Sequence, residues 1–337
     1  TAGIEFNQDK LEDNMWGYHR TVDQKVNIGS AFFQNEWKNE HWGFLIGGRL
    51  DKHNLIDHVI FSPRANLRYN PTENINLRFS YSSGFRAPQA FDEDLHVENV
   101  GGNVAMVELA DNLKEERSQS LSVSADIYHR FGAFQVNFLV EGFYTKLSDV
   151  FALTDGEIVD GILTRTRYNA PGARVMGLTL EGKMAYLTKF QLQAGITLQQ
   201  SHYSEPHVWN KEAPAVKKMM RTPNTYGYFT ATYTPIKPLS IALSGTYTGS
   251  MLVPHEPVPG FLEKPITVNT KDFFDIGLKA AYDFKLYKSM NLQVNAGVQN
   301  IFNAYQNDFD KGADRDSGYI YGPSLPRSFF AGVKISY

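Results

Sequence analysis

The chain has 337 residues, a formal net charge of −3, no cysteine, and an aromatic content of 13% with 18 Tyr and 23 Phe. Balanced charge argues against a basic nucleic-acid surface, and the lack of cysteine excludes disulfides and thiolate metal sites. No run of about 18 apolar residues is present, so a transmembrane helix is excluded. Instead, segments of about ten alternating residues recur between turn residues.

In chain order, Thr1 to Asn7 reads as the tail of a strand whose start is missing. Thr1 is not a start expected for an exported chain and no signal peptide is visible, so the sequence is read as a mature or truncated piece. Asn27 to Lys38 and His41 to Lys52 form the next two strands, joined at Asn39-Glu40. Val59 to Asn70 turns through Pro71-Thr72-Glu73 into Asn74 to Ser83. A polar excursion from Gly84 to Arg117 follows, then Ser118 to His129 and Ala133 to about Phe151, joined at Arg130-Phe131-Gly132. Beyond the excursion Ala152 to Gly172 lie Arg174 to Tyr186 and Phe190 to Gln200, then a loop from Ser201 to Arg221. Pro223 to Thr234 and Leu239 to Thr248 pair around Pro235-Ile236-Lys237-Pro238, before a Pro-rich loop from Gly249 to Thr270. Asp272 to Phe284 and Asn291 to Phe302 precede the loop Asn303 to Pro326 and a terminal strand from Arg327 to Tyr337.

That gives about fourteen antiparallel strands whose connections alternate between short and long, as in membrane β-barrels with short inner turns and long outer loops. In the strand from Asp272, Phe274, Ile276, Leu278, Ala280, Tyr282 and Phe284 share one face, while Asp275, Lys279 and Asp283 share the other. In the last strand Phe329, Ala331, Val333, Ile335 and Tyr337 share a face, and Phe330 is an apolar intruder among Ser328, Gly332, Lys334 and Ser336. Hydrocarbon offers no partner for a free backbone group, so strands in it must close into a ring with apolar side chains outward. A mean hydropathy of −0.35 is compatible with this, because half of each strand is polar. Glu181 and Lys183, neighbours on the polar face of one strand, are expected to line the lumen as an ion pair.

The terminal aromatic strand resembles the C-terminal signal of outer-membrane β-barrels. Gly84-Phe85-Arg86-Ala87-Pro88 resembles the phenylalanine-arginine-alanine-proline box of TonB-dependent outer-membrane receptors. Asp111-Asn112-Leu113-Lys114-Glu115-Glu116 resembles their asparagine-leucine-lysine-proline-glutamate segment, with Glu115 in place of the usual Pro. Asn300-Ile301-Phe302-Asn303 with Tyr305, then Gly322-Pro323, Pro326-Arg327 and the terminal strand, complete a pattern running from about Phe33 to Tyr337. The resemblance implies an all-β fold, an antiparallel transmembrane barrel of about 22 strands around a plug. On that reading residues 1–337 are the C-terminal portion of a single barrel domain, without the plug and without about eight strands. It also implies a place in the Gram-negative outer membrane, contact with its lipid, coupling to the TonB complex through the plug, and energised import of a ferric siderophore, haem or cobalamin. A complete passive channel of about fourteen strands is the alternative. An open sheet has two edges, which are expected to reclose into a smaller ring or to pair with missing strands.

Candidate ligand-binding residues are Arg86 at the strand top, His96 between the two boxes, His202, His207 and Trp209 in one loop, and His255 in another. Loops carry recognition, and imidazole is a natural haem ligand, although a solvated loop histidine is the commoner role for His96. Asp308, Asp310, Asp314 and Asp316 alternate near Gly312 and Gly318, a pattern able to present oxygen ligands to calcium. Lys311 and Arg315 interrupt it, and a hydrogen-bonded loop is the competing role. No cofactor is required. There is no Gly-x-Ser-x-Gly elbow, His-Glu-x-x-His or phosphate loop, so the sequence does not read as an enzyme.

Overall fold

The computed structural model describes residues 1–337 apart from 17–19, 89–104, 155, 156, 160, 161, 288, 314 and 324. The described residues form strands and loops, and no helix among them is long and apolar enough to cross a membrane. The chain opens with β1 (Ala2–Met15), β2 (Arg20–Lys38), β3 (Trp42–His53), β4 (Ile60–Thr72) and β5 (Ile75–Arg86). The short β6 (Ala105–Leu109) precedes β7 (Glu116–Phe131) and β8 (Phe134–Ser148). Next come β9 (Val150–Leu153), β10 (Glu157–Val159), β11 (Ile162–Ala170), β12 (Ala173–Tyr186) and β13 (Phe190–His207). β14 (Val216–Lys218) leads to β15 (Thr225–Ile236) and β16 (Leu239–Thr248). Finally β17 (Leu252–His255) and β18 (Ile266–Asn269) precede β19 (Phe273–Tyr287), β20 (Met290–Gln299) and β21 (Ser328–Ser336).

One sheet forms the wall. Its path runs β1-β2-β3-β4-β5-β7-β8-β12-β13-β15-β16-β19-β20-β21, with β14 attached to β13. Partners directly opposite in an antiparallel ladder project from the same face. One lateral row therefore reads Trp42, Tyr69, Leu77, Ala125, Val140, Leu180, Ile196, Gly227, Tyr247 and Phe274, from β3 to β19. A second reads Leu243, Leu278, Val298 and Phe329. A row on the other face reads Arg68, Arg78, Ser124, Glu141, Thr179 and Thr197. The wall thus separates an apolar face from a polar one across its width.

Leu278 and Val333 are 39% and 67% exposed on the apolar face, so they pack into no common core. The buried apolar residues that do cluster, Met251, Val253 and Tyr319, lie in the long connections instead. The polar face is cross-linked by its own side chains. Arg49 donates to Glu5, Asp51 and Ser30, and Ser30 donates to Asp51 at 2.6 Å. Lys183 and Glu181 form the expected ion pair at 2.9 Å. The intruder Phe330 also has its reason: it pairs with Gly297 of β20, and a Cβ there would lie 2.4 Å from its ring. The aromatic ring covers backbone that glycine leaves bare.

Several boundaries differ from the sequence reading. β1 continues to Met15, well past the Asn7 at which the sequence reading ends it, and pairs residue for residue with β2 in one long hairpin. The polar residues there alternate less clearly because little of that ribbon is buried. Asp149 takes a left-handed φ of 55° and separates β8 from β9. β20 stops at Gln299, because Asn300 and Asn303 adopt φ values of 50° and 54° and turn the chain. Asparagine tolerates this region because its short polar side chain bonds locally. The excursions also hold strands of their own: β11 pairs with β6, β9 and β10, and β17 with β18. β1 and β21 sit at opposite ends of the path and do not pair. The expected reclosure into a smaller ring is therefore not observed, and the described residues do not form a closed fourteen-stranded channel.

The face rule gives a direct expectation for the complete protein in lipid. Leu278→Arg should destabilise it by about 2–4 kcal/mol, whereas Lys279→Gln next to it should cost less than about 1 kcal/mol. Equilibrium unfolding in vesicles measures both, and equal losses would invalidate the assignment of faces.

Candidate functional site

The long connections all leave the wall at one end, and there they assemble a second layer. Where these connections lack a ladder, their backbone finds partners in side chains. Asn169 donates to the carbonyls of Lys114 and Asp149 and accepts from the Lys114 N–H at 2.8 Å. Glu115, at the position where a proline is usual, is buried and accepts from Arg117 Nη2 at 2.7 Å and pairs with His58 Nε2 at 3.0 Å. Burial alone would raise its carboxyl, but a backbone N–H, Arg117 and His58 together hold it below the ordinary value.

The last connection is tied in the same way. Asn300 donates to the carbonyls of Ala304 and Leu325 and accepts from the Ala304 N–H. Gln306, 1% exposed, donates to Tyr319 O and accepts from the Tyr321 and Gly322 amides. Asp308 accepts from the hydroxyls of Tyr319 at 3.1 Å and Tyr321 at 2.6 Å. Burial would raise the Asp308 carboxyl, yet the two hydroxyls hold it below its ordinary 3.8. Burial and the Asp308 charge push Tyr319 up to about 12, and burial with the same hydrogen bond raises Tyr321.

Of the four aspartates proposed from sequence for calcium, Asp310 and Asp316 converge, joined by His255 within 4.8 Å. Asp308 faces the two tyrosines, and Asp314 lies outside the described residues. His255 Nε2 pairs with Asp310 Oδ2 at 2.8 Å and its ring stacks on Tyr319 with centroids 3.8 Å apart. Calcium takes six to eight oxygens, so two carboxylates and an imidazole fit it poorly. The geometry is that of a hydrogen-bonded latch.

Between these connections and the strand tops lies a cavity of about 1730 Å³. Its wall from β5, β7, β9 and β11 supplies Arg86, Arg165 and Arg167 with Glu116, Phe151 and Tyr168. Arg86 Nε donates to Glu116 at 2.5 Å and its guanidinium lies 4.9 Å from the Phe151 ring centroid. Arg167 lies 5.8 Å from the same ring, on the other cation contact it makes. The end of β13 and the connections after β13, β16 and β20 supply Tyr203, His207, Trp209, Lys211 and Arg221 with Glu205, Glu212, Glu256 and Asp316. The first group carries three arginines against one glutamate, and the second two cations against four acids. The charges are thus unevenly divided between the two groups of elements, and aromatic rings belong to both. Burial lowers the His207 imidazole, which favours its neutral form.

Among the residues proposed from sequence, Arg86, His207 and Trp209 line this cavity. His202 does not: alternation along β13 turns it to the apolar side, opposite Arg174. His255 belongs to the latch, and His96 lies outside the described residues. The sequence reading passed over Arg165, Arg167 and Tyr168. The signal was present in Thr164-Arg165-Thr166-Arg167-Tyr168, two arginines at strand spacing within an excursion taken as loop.

Residues 2–301 match the model of a family described as TonB dependent receptor-like, beta-barrel. The chain belongs to that family. In structure it is similar to the ferric enterobactin receptor PfeA of Pseudomonas aeruginosa, in a mutant form, with a TM-score of 0.69, 18% identity, and coverage of 98% of this chain and 50% of that one. The siderophore receptor PirA of Acinetobacter baumannii gives 0.69 and 16%, covering 98% and 51%. The ferric-catecholate import receptor Fiu of Escherichia coli K12 gives 0.64 and 16%, covering 94% and 45%. The chain therefore spans about half the length of these structures. No curated protein matches it in sequence.

The latch titrates in a defined sense. A depressed Asp308 contributes stability that is complete above the free value of about 3.9 and is lost as pH falls through its lower folded value. Raised tyrosines contribute stability that is complete below about pH 10 and is lost as pH rises through their folded values. Tyrosinate absorbance of the complete receptor should show a late phase near pH 12 that Tyr319→Phe removes. Ionisation of Tyr319 near pH 10, with the free tyrosines, would contradict the latch.

Proposed function

We propose that the chain forms the C-terminal wall and outer mouth of a Gram-negative outer-membrane receptor that imports a ferric siderophore with energy supplied through TonB. The apolar rows would meet lipid, and the plug characteristic of the family would couple the lumen to TonB. The observation that carries the reading is the mouth cavity, where arginines and aromatic rings converge on the same space. A cavity of about 1730 Å³ exceeds the roughly 300–1,000 Å³ of ordinary small-molecule sites, as a bulky hydrated chelate requires.

The arginines and aromatic rings of the lining refine the ligand class. Arg86, Arg165 and Arg167 around Phe151 offer charge-assisted donors and a stacking surface to an anionic aryl chelate. The acids of the cavity and the Tyr203 hydroxyl can accept hydrogen bonds from the amide or hydroxyl groups of such a ligand, and Trp209 can donate its indole N–H. Siderophore and ferric-catecholate receptors among the structural neighbours support this class over haem and cobalamin.

The complete receptor should be titrated in detergent with a ferric tris-catecholate, a neutral ferric hydroxamate, haem and cobalamin. The anionic catecholate should bind most tightly. Arg167→Gln should weaken it by about 10–100-fold, the range expected when one charge-assisted hydrogen bond is removed, and should change hydroxamate binding by less than about threefold. Preferential binding of haem or cobalamin, or equal loss for both iron chelates, would count against the reading.

A further inference from the structure

The last long connection gathers three hard oxygen ligands at one point. Tyr319 and Tyr321, two residues apart, both turn their hydroxyls to Asp308. The Tyr319 hydroxyl lies 3.1 Å from Asp308 Oδ2, and the Tyr321 hydroxyl lies 2.6 Å from the same oxygen and 2.7 Å from Oδ1. A small octahedral cation with bonds of about 2.1 Å sets adjacent oxygens about 3.0 Å apart. Two edges of one octahedral face are therefore already near the length such an ion requires.

The set is supported from behind. Gln306 binds the backbone of both tyrosines, donating to Tyr319 O at 3.0 Å and accepting from the Tyr321 N–H at 2.8 Å. His255 stacks on the Tyr319 ring with 7° between the planes, and Tyr319 belongs to the buried cluster with Met251 and Val253. Supports of this kind fix ligand geometry before a metal arrives. Asp308 stays open to solvent, so an ion can reach the set and keep water in its remaining positions. Asp308, Tyr319 and Tyr321 lie outside the lining of the mouth cavity.

One carboxylate and two phenols select the ion by its charge. Both are oxygen donors, which suit hard ions rather than the soft ones that thiolates take. A free phenol keeps its proton until about pH 10, so displacing two of them at neutral pH demands a cation of high charge. Calcium and magnesium take carboxylates, carbonyls and water instead, whereas phenolate is a natural ligand of iron. We propose that Asp308, Tyr319 and Tyr321 bind a ferric ion directly, through their own oxygens. Three Fe–O bonds form and the two phenol protons pass to solvent. One carboxylate and two phenolates then balance the three positive charges. Iron enters as Fe(III), so nothing is oxidised or reduced. Without metal, the same two protons close the latch described above. The bound ion ties Asp308 to the segment from Tyr319 to Tyr321 and so fixes the connection between β20 and β21. This site is separate from any chelate held in the mouth, and either can fail without the other.

The test adds ferric nitrilotriacetate to the complete protein in detergent at neutral pH and follows visible absorbance. Phenolate bonded to Fe(III) gives a charge-transfer band that neither tyrosine nor the added iron complex shows alone. Tyr319→Phe and Tyr321→Phe should each weaken the band, and the double variant should abolish it. Asp308→Asn should raise the ferric concentration for half-saturation at least about tenfold, a loss that altering a mere partner of a metal ligand already produces. Tyr305→Phe, in the same connection, should leave the band unchanged. Ga(III) should bleach the band by displacing iron, and millimolar calcium should not. Heat-modifiable migration reports an intact barrel; where the double variant loses it, the single Tyr321→Phe, whose residue is only partly buried, takes its place. The absence of a band at saturating ferric ion, an unchanged band in the folded tyrosine variants, or displacement by calcium overturns the proposal.

Discussion

A backbone amide in hydrocarbon has no water to turn to, and this requirement organises the wall. Every strand on the path satisfies its neighbours laterally, and pairing runs without a gap from β1 to β21, with register shifts only near short turns at Tyr69–Thr72, Tyr233–Ile236 and Lys285–Tyr287. A shift of one residue would turn a whole strand over. The apolar rows therefore depend on unbroken pairing, and they remain in step from Trp42 in β3 to Phe274 in β19. The same constraint explains why Leu278 and Val333 are left exposed without forming a conventional core. Their favourable environment lies outside the protein.

Once the chain leaves the wall the solution changes. The long connections cannot rely on one continuous ladder, so polar side chains complete their backbone bonding. Asn169, Asn300 and Gln306 each bind more than one backbone group, and Asp308 gathers two tyrosine hydroxyls. Glu115 fills a related role between Arg117 and His58. These anchors give the mouth a defined shape, and the small apolar cluster of Met251, Val253 and Tyr319 supports it from behind. Arg221 spans the two parts, since it lines the cavity and donates to Ile320 O at 2.7 Å.

The two faces also carry different side chains near the strand ends that bear the long connections. Arg86 and Glu116 look into the cavity with Phe151, whereas Lys146, Arg174 and His202 look outward above the band. A parity change of one residue decides which chemistry a side chain serves. Tyr203 and His202 make the point: they are adjacent in sequence, yet Tyr203 lines the mouth and His202 stands on the apolar face opposite Arg174.

The sequence by itself determined the wall. Alternation in stretches such as Phe274 to Phe284, together with turn residues at short links, fixes strand number, face and order, because period two and nearest-neighbour pairing are local properties. The same locality revealed the Glu181–Lys183 pair. Tertiary structure alone decided the mouth. Arg86, Arg167 and Phe151 are distant in sequence and meet only through the pairing of β9 with β11 and the top of β5. It also separated His255 from the cavity, drew Asp308 away from Asp310, and left β1 and β21 unpaired. Those outcomes depend on long-range hydrogen bonds between connections, for which no periodic pattern exists to be read.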